Sequence, residues 1–268
     1  MLVYLAGGIS GNNKPLWREE LGRISGGTIP MQRGGQAFEI VGKTNLNILE
    51  SFYYQDDTVT KAIPYLKNFM LDSGAFTFFT SKPKSVQWED YVERYAAYIN
   101  ANNIDHFFEL DIDLLVGYNE VLKLRARLEK LTNKQAIPVW HKSRGKDNFV
   151  RMCQEYSYVA IGGIVSKEIT KDQYKYFPLF IDTAHKYGAK IHGLGFTNLE
   201  GLKKYHFDSV DSTAWVSGNR FGSIYKFNGT TMVKFDAPAK QRLADARVAA
   251  LNNFREWVKF CDYAEKNL

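Results

Sequence analysis

The sequence predicts an α/β protein built as a single (β/α)8 barrel of the TIM type. Three observations carry that expectation. About eight short β-rich runs alternate with amphipathic intervals along the chain, an alternation that makes neighbouring strands parallel. At 268 residues the chain has the length of one such barrel, and 45% hydrophobic content suffices for a large core. The competing open, doubly wound sheet needs Gly-x-Gly-x-x-Gly after its first strand, and Gly7-Gly8-Ile9-Ser10-Gly11 does not supply it.

In chain order, the first run is 2–6, stopped by Gly7 and Gly8, with a short helix expected over 16–24 and a polar, Gly-rich insertion loop over 25–43. Runs over 47–54 and 68–72 follow, the second closed by Ser73-Gly74-Ala75-Phe76. Ser85 can cap a helix whose stripe of Trp88, Tyr91, Val92, Tyr95 and Ile99 makes one buried face. The fourth run is 106–111. A helix marked by Val121, Leu124, Leu128 and Leu131 leads to the fifth, 136–140, which exits through His141-Lys142-Ser143-Arg144. The sixth run, 158–161, ends at Gly162-Gly163. A helical stretch over 171–187 is expected to restart at Pro178 and stop at Gly188. The seventh and eighth runs, 189–196 and 207–215, flank a helix over 199–205. After a loop over 217–237, a last helix over 240–263 carries Leu243, Ala250, Phe254, Trp257 and Cys261 on one face. One catalytic domain over 1–268 is expected.

Composition bounds the setting. Net charge is +6 with pI near 9.1, a weak hint of a polyanionic partner. Cys153 and Cys261 fall in apolar helical contexts; they form no disulfide framework and no Cys/His cluster for zinc. No run approaches membrane-spanning length, and Met1 to Gly8 lacks a basic leader and a signal core. A soluble protein of the reduced cytoplasm, without metal or membrane partner, is expected.

Residues at the carboxyl ends of the runs are the ones able to share a pocket. They are Gly7 and Gly8, Tyr53 and Tyr54, Asp72, Asp111 with Asp113, His141, Gly162 and Gly163, Gly193 and Gly195, and Asp211. A single aspartate at a strand end is ordinarily a cap or turn former. Three converging on one mouth point to handling of charge or proton transfer.

Four stretches carry a resemblance. Leu71-Asp72-Ser73-Gly74-Ala75-Phe76 resembles the Asp-Ser-Gly-Gly-Phe motif of the tRNA-guanine transglycosylase superfamily, with Ala75 replacing its second glycine. Ala160-Ile161-Gly162-Gly163-Ile164-Val165-Ser166-Lys167-Glu168 is similar to its Gly-Gly-Leu-Ala-x-Gly-Glu, and His192-Gly193-Leu194-Gly195 to its Met-Gly-Val-Gly. Phe207-Asp208-Ser209-Val210-Asp211-Ser212 resembles its Asp-x-Phe-Asp-Cys-Val, whose second aspartate is the nucleophile. The likeness covers about 68–222. It departs in lacking the zinc site of three cysteines and a histidine, in placing Trp140 or His141 where a glutamine is expected, and in reproducing the following basic motif only through Arg220. Loss of the tRNA-specific parts makes the chain most similar to 7-deazaguanine DNA transglycosylases, which are often encoded by viruses and mobile elements.

That resemblance implies base exchange with no cofactor, DNA more than tRNA as partner, and a 7-deazaguanine-type free base as second substrate. Breaking a glycosidic bond at C1′ passes through an oxocarbenium-like transition state and asks for one carboxylate against the sugar and an acid for the departing base. Asp211 fits the first role, through a covalent intermediate, and Asp72 the second. Asp111 can accept from N1–H and the 2-amino group of a guanine-like base, while Gly162 and Gly163 would let backbone N–H groups approach the 6-carbonyl. Ser73, Gly74, Gly193, Gly195 and His141 are expected around the base, with Phe76, Tyr53 or Tyr54 stacking on it or serving the core. Lys142, Arg144 and Arg220 are expected on phosphates, though the 141–144 loop fits a solvated role equally. The loop 25–43 and the segment 215–225 are the natural places for contacts that extrude a nucleotide. His192 reads as a satisfied core or rim histidine rather than a catalyst, Lys167-Glu168 as an exposed ion pair, and Asp208 as facing away from its neighbours. Asp113 and Glu109 each compete with Asp111 for its role. A base-excising glycosylase, a sugar hydrolase and a catalytically inert nucleic-acid-binding barrel are the rival readings.

Overall fold

The strands up to residue 212 are short and largely buried on both faces, the pattern of a parallel sheet covered on either side. In the computed structural model, which describes residues 1–7, 44–55, 57–74, 77–78, 86–216, 222–236 and 246–268, β1 (Leu2–Ala6), β2 (Asn47–Ser51), β3 (Asn68–Asp72), β4 (Val139–Trp140), β5 (Tyr158–Ile161), β6 (Lys190–Gly193) and β7 (Ser209–Ser212) form one seven-stranded sheet. Its order is β3-β2-β1-β7-β6-β5-β4, and every pairing is parallel. The sheet is curled and flanked by helices.

Period-two alternation sorts the side chains. Tyr4, Ala6, Leu49, Met70, Phe108, Ile137, Val139 and Ala160 form an inner cluster. Their neighbours Val3, Leu5, Ile48, Val159, Ile161, Ile191 and Val210 belong to the outer core shared with the helices. A separate aromatic cluster seats the helix Trp88–Ala101 through Tyr91, Val92, Tyr95 and Ile99.

Several expectations change. The run 106–111 forms no ladder strand; it makes single parallel bridges, Leu71 to Phe107 and Phe108 to Ile137. Pro138 has no N–H to donate, so the run 136–140 shrinks to the two residues of β4. Among the described residues the sheet proper therefore counts seven strands. The described part of 217–237 is not a loop but an antiparallel hairpin, β8 (Ile224–Phe227) and β9 (Met232–Phe235). Its turn is held by Asn228 Oδ1, which accepts from the N–H groups of Thr230 and Thr231. Gln87, not Ser85, precedes the helix Trp88–Ala101. The 171–187 stretch does restart at its proline: a 3-10 turn, Lys171–Tyr176, opened by a Thr170–Gln173 capping box, gives way to the helix Phe177–Lys186.

The last helix, Ala246–Asn267, buries Ala250, Phe254, Trp257 and Cys261. It also satisfies the hairpin's free edge: Asn253 Oδ1 accepts from Tyr225 N at 2.7 Å and Glu256 Oε2 from Phe227 N at 2.7 Å. Among the described residues no helix is long and apolar enough to cross a membrane, and Cys153 and Cys261 are both free and buried. The expected helix 16–24, the loop 25–43, Gly8, Ala75, Phe76, Ser85, Arg220, Leu243 and the start of the last helix lie outside the described residues.

Candidate active site

The carboxyl ends of the strands open into one cleft of about 1530 Å³, lined among others by Asp72, Asp111, His141, Gly163, Gly195 and Asp211. Tyr54 also reaches it. The strand register explains the meeting: Asp72 continues the inner row from Met70, His141 from Val139, and Asp211 from Ser209, each two residues on.

Asp72 ends β3, and its Oδ2 accepts from Gly74 N at 3.1 Å. Burial pushes its carboxyl up to about 7, and the charges of Asp111 and Asp211 act the same way, against the lowering effect of that hydrogen bond. Gly74 adopts φ +83°, and a Cβ there would stand 2.5 Å from Tyr53 Cβ. Glycine is thus what lets the chain double back under Asp72. Ser73 does not line the cleft: it is buried, its carbonyl accepts from Tyr91 Oη at 2.6 Å, and its Oγ has no hydrogen-bond partner among the described residues.

Asp211 is nearly buried in β7. Its Oδ1 accepts from the Gly195 N–H and faces His192 Nε2 at 3.2 Å. Two donors on one oxygen fix the carboxylate plane. Gly195, at φ +71°, can bring its N–H there, while a Cβ would collide with Val165 at 2.3 Å. Gly193 packs the other way, toward Phe196, Val210 and Phe207, and is not among the residues lining the cleft.

Opposite these, His141 is held between two carboxylates. Its Nε2 meets Asp111 Oδ1 at 2.7 Å and its Nδ1 meets Glu168 Oε2 at 2.8 Å. Burial works against its charge, yet Asp111 and Glu168 outweigh it and push the imidazole up to about 9. The two glycines after β5 serve this cluster. A Cβ on Gly162 would lie 2.8 Å from the His141 ring, and one on Gly163, at φ +78°, 2.8 Å from Glu168 Oε2. The N–H of Gly162 is already donated to Trp140 O at 2.9 Å, which corrects the expectation that it reaches a ligand carbonyl.

The register of Glu109-Leu110-Asp111-Ile112-Asp113 is now settled. Glu109 is fully buried on the outer side, accepting from Val139 N at 2.8 Å, Arg144 Nη1 at 2.6 Å and Arg125 Nη1 at 3.1 Å. Asp111 faces the cleft. Asp113 reaches the rim but takes both Nε and Nη2 of Arg144. Arg144 itself is 5% exposed and stacks on Tyr118 with its guanidinium 4.5 Å from the ring centre. It is an internal cation clamped by Glu109 and Asp113, not a phosphate contact, because a buried guanidinium is retained only when its donors are spent inside. Lys142 lies away from the main cleft, beside a small groove between the helices Lys146–Glu155 and Phe177–Lys186.

Three participants escaped the sequence reading. His192 faces Asp211; Glu168 orients His141 and also accepts from Ser143 N at 3.0 Å; Glu50, buried in β2, lines the cleft. The register that sets His192 beside Ser209 appears only in the folded sheet; for Glu168 the signal was its place at the end of the Gly162-Gly163 motif. Asp208 sits at the opposite end of β7, accepting from Ile191 N at 2.7 Å and paired with His185. Among the described residues no group of His, Cys, Asp and Glu is arranged to hold a metal. No known family model matches the chain, and no curated protein matches it in sequence.

Proposed function

We propose that the protein is a base-exchange transglycosylase that replaces guanine in nucleic acid, DNA before tRNA, with a 7-deazaguanine-type base, acting in the cytoplasm. The single observation that carries the reading is that Asp72 and Asp211 line one cleft, Asp72 as a carboxyl raised to about 7 and Asp211 as a carboxylate fixed by two donors to one oxygen. An acid poised near neutrality beside an oriented carboxylate is the pair that glycosidic substitution requires.

In this account Asp211 Oδ2 bonds to C1′ as the C1′–N bond to guanine breaks. The electron pair of that bond goes to the base nitrogen, which takes the proton of Asp72. The incoming base gives a proton back to Asp72 and attacks C1′, releasing the Asp211 carboxylate. Asp111, held by His141, accepts from N1–H and the 2-amino group. Exposed Leu114, at 84%, with Val165, Lys167 and Lys171 at the cleft, supports a partner that offers both flat bases and phosphates.

The eight-stranded reading of the fold belongs to the same proposal. Leu71 N donates to His106 O at 2.9 Å and Ile137 N to Phe107 O at 2.8 Å, which supports the segment 106–109 as an eighth strand joining the sheet's two edges into a (β/α)8 barrel. The test of function is mass spectrometry of nucleosides from DNA and RNA of cells expressing the protein, with Asp211→Ala as control. A deazaguanine nucleoside that depends on Asp211 is expected; abasic sites without a new nucleoside would mark a base-excising glycosylase instead, and unmodified nucleic acid with tight binding would mark an inert binder.

A further inference from the structure

Beneath Asp211 runs a line of buried polar groups that a parallel sheet has no need of. Ser209 Oγ is 2.6 Å from His192 Nδ1 and is also bonded to Tyr158 Oη. His192 Nε2 in turn faces Asp211 Oδ1 at 3.2 Å. His192 and Ser209 are fully buried, and the imidazole lies among the rings of Tyr4 and Phe108, with centroids 6.2 and 5.4 Å away. The three strands β5, β6 and β7 contribute one member each or more, and the register His192 to Ser209 sets them side by side.

Proton counting orders the line. Asp211 Oδ1 only accepts, so Nε2 must carry hydrogen. If Nδ1 is bare, Ser209 donates to it and Tyr158 donates to Ser209, and every hydroxyl proton has an acceptor. If Nδ1 also carried hydrogen, Ser209 would accept from it, and the hydroxyls of Ser209 and Tyr158 would hold two protons for one shared contact, leaving one without an acceptor among the described residues. The neutral Nε2–H tautomer is the one the network satisfies.

We propose that His192 is a positioning residue for Asp211: with Gly195 N–H it pins Oδ1, so that Oδ2 alone is presented to an electrophile in the cleft. A neutral donor suits both states of such a carboxylate. When Oδ2 bonds to carbon, Oδ1 becomes an ester carbonyl and still accepts both N–H groups; when that bond breaks, the returning charge meets the same donors, and no proton has to move. The kinetic part of this inference rests on the reading of Asp211 as nucleophile, while the hydrogen-bond part does not.

The test pairs His192→Leu, which removes the donor, with His192→Gln, whose amide can reach Asp211 as Nε2 does. Exchange of radiolabelled guanine into a guanine-containing duplex should fall about 10- to 100-fold in kcat in the leucine variant with little change in KM, the size typical of lost orienting partners. Glutamine should recover most of it. Nitrogen-detected NMR of the imidazoles should place the His192 proton on Nε2, with the Nδ1 resonance shifted by Ser209→Ala. The carboxyl 13C resonance of Asp211 should move in His192→Leu and return in His192→Gln. An imidazolium, a proton on Nδ1, an unmoved Asp211 resonance, or equal losses in the leucine and glutamine variants would overturn the proposal. Absence of guanine exchange in the unaltered protein would sink the transglycosylase reading instead, and the two NMR arms would then decide the role of His192 alone.

Discussion

Asp72, the last residue of β3, and Asp211, the last but one of β7, line one cleft, and the charge of Asp211 adds to burial in keeping the proton on Asp72. Two carboxyl groups so placed take different parts because their surroundings differ. Asp72 accepts from backbone N–H groups; Asp211 has a backbone donor and an imidazole on the same oxygen.

The raised Asp72 carboxyl links stability to pH. Its ordinary value is 3.8 and its folded value about 7. Below about pH 4 both states hold the proton; between about 4 and 7 the unfolded chain releases it while the folded chain keeps it, so this residue makes stability fall as pH rises. Each unit is worth about 1.4 kcal/mol when fully felt, and partial exposure brings the total nearer to roughly 2 kcal/mol. Asp72→Asn should therefore match the unaltered protein in urea unfolding at pH 4 and exceed it by about that amount at pH 8. Equal midpoints at both pH values would contradict the raised value.

His141 runs in the opposite sense. Its folded value of about 9 lies above the ordinary 6.5, so its contribution is complete below about pH 6.5 and is lost as pH rises through about 9. His141→Gln should flatten the unfolding free energy across that window. A slope that survives the substitution would mean that Asp111 and Glu168 do not hold an imidazolium between them.

Arg144 and Lys142, two residues apart, should behave unlike each other. Removing the Arg144 guanidinium leaves Asp113 without its partner and Glu109, 0% exposed, with Arg125 as its remaining cation. Arg144→Ala should cost about 3–5 kcal/mol in chemical denaturation, the scale of a broken buried ion pair. Lys142→Ala, on the surface, should stay within about 0.5 kcal/mol. If Arg144→Ala unfolded like the parent protein and only weakened binding to DNA, its place would be at the interface after all.

Period and punctuation made most of the fold legible. The alternation around Val139 and Val210, the glycines after β1, β5 and β6, and the stripe of Tyr91, Val92, Tyr95 and Ile99 all reflect local rules, and the elements they mark are present. The run 106–111 is joined to its neighbours by single parallel bridges, to Leu71 and to Ile137, a pairing that no local pattern encodes. The hairpin after 222 was missed although Asn228-Gly229 is a hairpin signal in its own right. At the site, Asp72, Asp111, His141 and Asp211 could be placed by counting to strand ends. Arg144 could not, because whether a basic side chain turns out to phosphate or in to Glu109 depends on a carboxylate 35 residues away. A glycine pair at a strand end looks like an opening for a ligand in sequence, whereas Gly162 and Gly163 make room for His141 and Glu168.

The central claim is that Asp211 becomes covalently bonded to the sugar while Asp72 manages the proton, and peptide mass spectrometry after acid quenching of the protein with a guanine-containing oligonucleotide tests it most directly. The unaltered protein should yield a sugar adduct on the peptide carrying Asp211. Asp72→Asn should form it only with a leaving base that needs no protonation, since general acid assistance of about a hundred-fold or more is then dispensable. Asp211→Asn should yield none with either substrate. A denaturation-stable adduct in Asp211→Asn, or one attached to any other residue, would contradict the account.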